Sequence, residues 1–205
     1  MLLGITGGIA SGKTTVSECL ERLGCAVIDA DRINNELSAP GGPIWAKIRE
    51  RFGEEVLLPD GRLDKAKLGK MVFDDPGKRK ILEEISHPLI IQEENRRIER
   101  IKKESPEKVI VLEATLLIEA GRHGRVDKLI VVTADKEKRI EWLLRERGMG
   151  REEAGKRMAA QMPCVEKEKL ADYVISNDGT REDLMEKAGK FFREIIKAGS
   201  GAPSQ

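Results

Sequence analysis

The sequence predicts an α/β fold: a five-stranded parallel sheet flanked by helices, with a helical insertion and a helical lid. Three observations carry this. Short runs rich in Val, Ile and Leu recur at Leu2–Thr6, Cys25–Ile28, Val109–Ala114, Lys128–Ala134 and in DYVIS around Tyr173. They show no polar alternation, so they read as strands buried on both faces. Charged, helix-periodic stretches separate them. The first run passes through a glycine-rich turn into a helix, the usual opening of a parallel sheet.

Taken in order, Lys13 to Leu23 has Val16, Leu20 and Leu23 at helical spacing, and Gly24 is its stop. The second strand, expected beside the first, ends on Asp29 and Asp31. From Arg32 to Glu107 no convincing strand occurs. Ile44, Ile48 and Phe52 mark one helix there, and DKAKLGKMVF and GKRKILEEIS suggest others. Pro88 is expected to open a long helix carrying Leu89, Ile90, Ile98 and Ile101. An ordinary crossover needs far fewer residues, so this segment is an insertion after a strand end, where substrate sites are built. Two charged helices, KEKRIEWLLRERG and REEAGKRMAAQMP, follow the fourth strand. Thr180 or Asp178 is placed to cap a final helix, and AGSGAPSQ reads as a frayed tail. The expected domains are a core of 1–31, 104–138 and 162–198, an insertion of 32–103, a lid of 139–161 and a tail of 199–205.

Composition narrows the classes. Lys and Arg total 37 against 36 Asp and Glu, a net charge of +1, and aromatics are 3%. A nucleic-acid binder would show a basic excess or stacking platforms. No run approaches the ~18 apolar residues of a membrane helix, and the N-terminus lacks the pattern of a signal peptide. Cys19, Cys25 and Cys164 form no CxxC pair and read as reduced thiols of a cytoplasmic protein. His87 and His123 are too few and too far apart for a histidine zinc site.

The chemistry begins at GITGGIASGKTTV, which holds Gly7-x-x-x-x-Gly12-Lys13-Thr14 between a strand and a helix. This is the P-loop spelling in its required context. Backbone N–H groups of Gly8, Ile9, Ala10, Ser11, Gly12, Lys13, Thr14 and Thr15 can cradle the phosphates of ATP. Lys13 reaches the β- and γ-phosphates, and the Thr14 hydroxyl suits Mg²⁺. The fold class is thus a P-loop NTPase. A carboxylate at the end of the second strand can orient an acceptor hydroxyl and take its proton. Asp31 is the candidate for that role, the alternative being a helix cap, and Asp29 reads as a cap or as metal support. Glu113, ending the third strand, can orient a metal-bound water or support the lysine, or be a surface charge, and Glu119 is a further candidate. Arg139, Arg145, Arg147, Arg151 and Arg157 sit on the expected lid, where one or two can reach phosphate and close the site to water.

Several strings together resemble the dephospho-coenzyme A kinase family: GITGGIASGKTTV, VIDAD, ISHPLI, TLLIEAG, AAQMP and ADYVISNDGT, in order from Leu2 to about Phe192. The resemblance implies ATP-dependent phosphorylation of the ribose 3′-hydroxyl of dephospho-coenzyme A, with Mg²⁺. It implies Asp31 as catalytic base, Ala10 to Thr15 as the ATP-phosphate segment and 32–103 as the coenzyme-binding insertion, with His87 near the acceptor. It puts Arg157 on an arginine of the lid and Asn177 to Gly179 on a loop near adenine. The implied partner is the small-molecule substrate, with no nucleic acid or membrane, and the enzyme is a monomer or small homo-oligomer. Two positions depart from the family pattern: Thr115 stands where the family has proline, and Glu146 aligns with a lid arginine that Arg145 or Arg147 could replace. The alternative is another P-loop nucleoside or nucleotide kinase. A GTP switch is disfavoured because SNDGT stands where Asn-Lys-x-Asp would be.

Overall fold

The computed structural model describes residues 1–199; the expected frayed tail lies outside them except for Gly199. The chain forms two compact units, one of Met1–Ile28 with the chain from Glu104 onward, the other of Asp29–Lys103.

The sheet contains β1 (Leu2–Gly7), β2 (Ala26–Asp29), β3 (Ile110–Glu113), β4 (Lys128–Thr133) and β5 (Tyr173–Ser176), in the order β2-β3-β1-β4-β5. β1 pairs in parallel with β3, Leu2 opposite Ile110, and with β4, Leu3 opposite Lys128. Both its edges are therefore taken. The expectation that the second strand lies beside the first is corrected: β3 intervenes, and Ala26 N–H donates to Val109 O at 2.9 Å. Burial explains the order. β1, β3 and β4 are almost wholly buried and fill the centre, whereas β2 and β5 are half-exposed and take the edges.

α1 (Lys13–Arg22) and α9 (Arg181–Gly199) pack with the sheet around Leu3, Ile5, Val16, Leu20, Ile130 and Phe191. Tyr173 meets Phe191 edge-on, ring centroids 4.8 Å apart. α9 is capped reciprocally: Thr180 Oγ1 accepts from Asp183 N–H, and Asp183 Oδ2 accepts from Thr180 N–H. Asp178 instead accepts from Asp135 N–H at 3.0 Å. α6 (Lys136–Arg147) starts at Asp135, whose carboxylate accepts from Glu137 and Lys138 N–H. α7 (Arg151–Ala159) and the short α8 (Cys164–Glu168), absent from the sequence reading, follow. Cys19, Cys25 and Cys164 are free thiols, and burial pushes Cys25 up to about 11.

The second unit is helical. α2 (Ala30–Leu37), α3 (Pro43–Phe52) and α4 (Lys65–Asp74) surround Ile33, Ile44, Ile48, Val56 and Leu68, and one antiparallel bridge joins Leu57 to Leu63. α5 (Pro76–Glu104) runs 29 residues. This corrects the expected helix start at Pro88, which lies inside α5. Asp75 already caps the helix, accepting from Gly77 and Lys78 N–H, and Pro76 takes the first position, where no N–H is needed. An interior proline costs ~3 kcal/mol, and buried Ile90 and Ile98 offset it by burying apolar surface.

Candidate active site

The loop after β1 leaves from the centre of the sheet. Gly7 has φ +153, and a Cβ there would lie 2.1 Å from Val132 O, so only glycine fits. Gly12 precedes α1 and offers no side-chain cap. The first N–H groups of α1 thus stay available to an anion. Lys13 is buried and folds back on the loop, donating from Nζ to Gly7 O (3.3 Å) and Gly8 O (3.1 Å). These carbonyls hold the ammonium over the loop.

Thr14 Oγ1 donates to Glu113 Oε1 at 3.0 Å, so the loop hydroxyl and the last residue of β3 form one oxygen-rich corner. Hydroxyl and carboxylate oxygens are the donors a hard cation takes. No group of three or more metal-ligating side chains occurs among the described residues. That donor set fits Mg²⁺ carried on phosphates and water rather than held in a protein cage.

Two residues missed as loop supports grip the loop tip. Ile9 N–H donates to Gln161 Oε1 at 2.8 Å, and Ile9 O accepts from Arg139 Nε at 2.9 Å. Arg139 is buried, and a Cβ on Gly8 would lie 2.2 Å from its Nη2, so the guanidinium lies directly against the loop. Arg139 and Gln161 are the two ends of the span expected to be a lid. Only the string AAQMP drew attention to Gln161, and nothing in the sequence told Arg139 from its neighbours.

Asn177 follows β5, is buried, and donates from Nδ2 to Ser11 O at 3.0 Å. The loop Ala10–Thr15, Asn177, Gly179 and residues of α6 line a cleft of about 400 Å³. Arg145 and Arg147 line it too, with Arg181, which sequence reasoning passed over. Arg157 does not. It is half-exposed on α7 and paired with Glu153, Nη2 to Oε1 at 2.8 Å, while Arg151 pairs with Glu137.

Glu119 joins a network that reaches into the interior. It accepts from Met162 N–H (3.1 Å) and from Lys167 Nζ (2.8 Å), and Lys167 has no exposed surface. Lys167 also donates to Thr115 O, which accepts from Thr6 Oγ1 as well. The Thr115 carbonyl does this work, and proline has the same carbonyl.

In the helical unit, Asp29 Oδ1 accepts from Asp31 N–H (2.8 Å) and Arg32 N–H (3.1 Å), which makes Asp29 the cap of α2. The Asp31 side chain stands exposed in the first turn. His87 is half-buried within α5. Arg97 ties α5 to α2 through Glu36 and pairs along its own helix with Glu93 (2.8 Å).

The sequence profile of the family described as dephospho-CoA kinase matches residues 1–183. The chain belongs to that family. It is therefore a kinase of coenzyme A biosynthesis that uses ATP. A dephospho-CoA kinase from Carboxydothermus hydrogenoformans is 43% identical over 186 residues, 91% of this chain and 90% of the relative. The crystal structure of TT1252 from Thermus thermophilus superposes with a TM-score of 0.81 at 31% identity, covering 98% of both chains. Dephospho-CoA kinase from Campylobacter jejuni gives 0.70 at 28% identity, over 97% of this chain and 98% of that one. No helix among the described residues is long and apolar enough to cross a membrane.

Proposed function

We propose that this enzyme transfers the γ-phosphoryl group of ATP in line to the ribose 3′-hydroxyl of dephospho-coenzyme A, in the cytoplasm. The observation that carries the reading is the phosphate loop with its Lys13 and Thr14–Glu113 corner, in a chain matched by the family over residues 1–183. The residues 8–15 bind the triphosphate through backbone N–H groups. Lys13 leaves the Gly7 and Gly8 carbonyls to meet the terminal phosphates. Thr14, supported by Glu113, would hold Mg²⁺, which would supply charge neutralisation to the terminal phosphates.

Asp31 orients the acceptor hydroxyl and accepts its proton as the oxygen bonds to phosphorus. Its backbone N–H is fixed by the Asp29 cap, and its side chain is exposed to solvent. His87 contacts the acceptor within the coenzyme-binding segment 32–103. Arg157, on the lid of 139–161, exchanges Glu153 for phosphate when substrates are bound, and Asn177 borders the adenine.

An assay coupled to ADP release tests this with dephospho-coenzyme A, nucleoside monophosphates, adenosine and gluconate as acceptors. The expected result is a clear preference in kcat/KM for dephospho-coenzyme A. Equal or better turnover of a nucleoside monophosphate would overturn the assignment in favour of a nucleotide kinase.

A further inference from the structure

The cleft above the phosphate loop has two ends. The loop 10–15 supplies the phosphate end. The opposite wall is α6, and there Trp142 and Arg145, three residues apart on one helix face, both line the cleft. Leu143 and Leu184, both buried, complete the lining with apolar surface. A triphosphate anchored at Lys13 leaves its nucleoside in this space, and a cleft of about 400 Å³ falls within the range of small-ligand sites.

Trp142 is the unexpected component. The chain holds two tryptophans, one tyrosine and four phenylalanines. Trp45 is engaged elsewhere, its indole N–H donating to Gly61 O at 2.8 Å, and Tyr173 packs on Phe191. Trp142 is only half-buried, on a helix whose core contacts come from Ile140 and Leu143. The rest of the lining is the phosphate loop with Lys13, Asn177, three arginines, leucine and Glu146, which pairs with Arg145 at 3.1 Å, so the half-exposed indole is the one flat π-face there for a nucleobase.

We propose that Trp142 is the stacking platform for the purine of the phosphoryl donor, with the Arg145 guanidinium at the same face. Stacking reads the area of the ring system more than its hydrogen-bonding edge. The site therefore selects purine over pyrimidine triphosphates. The proposal rests on the ATP-donor reading and concerns binding alone, so a failure of transfer to dephospho-coenzyme A would leave its test intact.

The test is equilibrium binding followed by tryptophan fluorescence with Mg²⁺ present, using ATP, CTP and inorganic tripolyphosphate. ATP is expected to change the emission, tripolyphosphate to bind without that change, and CTP to bind more weakly than ATP. Trp142→Phe is expected to keep ATP affinity within a few-fold while abolishing the emission change, since Trp45 lies elsewhere. Trp142→Ala is expected to weaken ATP roughly tenfold or more, with tripolyphosphate affinity unchanged. An equal loss for ATP and tripolyphosphate, no loss for either, or an ATP-induced change that persists in Trp142→Phe would overturn it. Should Trp142→Ala fail to fold, the Trp142→Phe comparison decides.

Discussion

Thr14 and Glu113 are joined across the head of the sheet, hydroxyl to carboxylate at 3.0 Å, linking the start of α1 to the end of β3. With its hydrogen donated to Glu113, the Thr14 oxygen keeps its lone pairs for accepting. Glu113→Gln is expected to keep the fold and raise the Mg²⁺ concentration needed for half-maximal activity. A loss of 10–100-fold is the usual scale for such a supporting partner. An unchanged Mg²⁺ titration would assign Glu113 to stability alone.

Asp29 caps α2, and the proposed chemistry falls to Asp31, two residues on. Asp31→Asn is expected to leave ATP affinity intact and lower kcat by about 10² or more. Asp29→Ala removes a helix cap, so about 1 kcal/mol of stability should go, readable by denaturant unfolding, with chemistry much less affected. The reverse pattern would exchange their roles.

Arg139 and Gln161 hold the two backbone groups of Ile9. Arg139→Lys keeps the charge but loses the planar fork that lies against Gly8. Both Arg139→Lys and Gln161→Ala are expected to raise KM for ATP several-fold while leaving KM for dephospho-coenzyme A near the wild-type value. Steady-state kinetics with each substrate varied in turn checks this, and equal changes in both constants would contradict it.

Lys167, fully buried, pairs with the solvent-accessible Glu119 and donates to Thr115 O. Lys167→Met removes the cation and its bond to the Thr115 carbonyl and is expected to cost ~1–3 kcal/mol, with part of it recovered in the Lys167→Met, Glu119→Gln double variant. Urea unfolding of the three proteins measures this; a single-variant loss below about 1 kcal/mol would mean the pair contributes little.

Arg96 first, then Arg97, hold the Glu93 carboxyl down to about 2. The folded value lies below the unfolded one of about 4.3. The stabilisation is therefore complete above pH ~4.3 and lost as pH falls towards about 2. Much of it is screened, because Arg96 is 62% exposed, so about 1 kcal/mol is expected. Glu93→Gln should then lower Tm by about 2–4 °C near neutral pH, and the gap from wild type should shrink on acidification. A gap independent of pH would remove the charge as its cause.

The strands and the phosphate loop were readable because their signals are local: unbroken Val/Ile/Leu runs and glycines at fixed offsets. Strand order was not, because it depends on which strand is buried deepest, and β3 displaced β2 from the side of β1 through that non-local comparison. Pro88 misled in a similar way, since Asp75-Pro76 is the stronger start and packing of Ile90 and Ile98 tolerates the interior proline. Arg139, Trp142 and Lys167 carry no local signature, and Gln161 only that of the string AAQMP. Each is defined by what lies across the fold: the Ile9 backbone, the cleft wall, the Glu119 carboxylate. Glu119 itself was noticed for its charge, and only the fold reveals that Lys167 absorbs it.

The destination of the phosphoryl group is read most directly in the product itself. Phosphorus NMR of a reaction containing the enzyme, Mg²⁺, ATP and dephospho-coenzyme A should show ADP and one new phosphomonoester in equal amounts. That signal should coincide with the 3′-phosphate of added coenzyme A and be nearly absent with Asp31→Asn. ADP with free phosphate and no new ester, or an ester at another hydroxyl, would contradict the account.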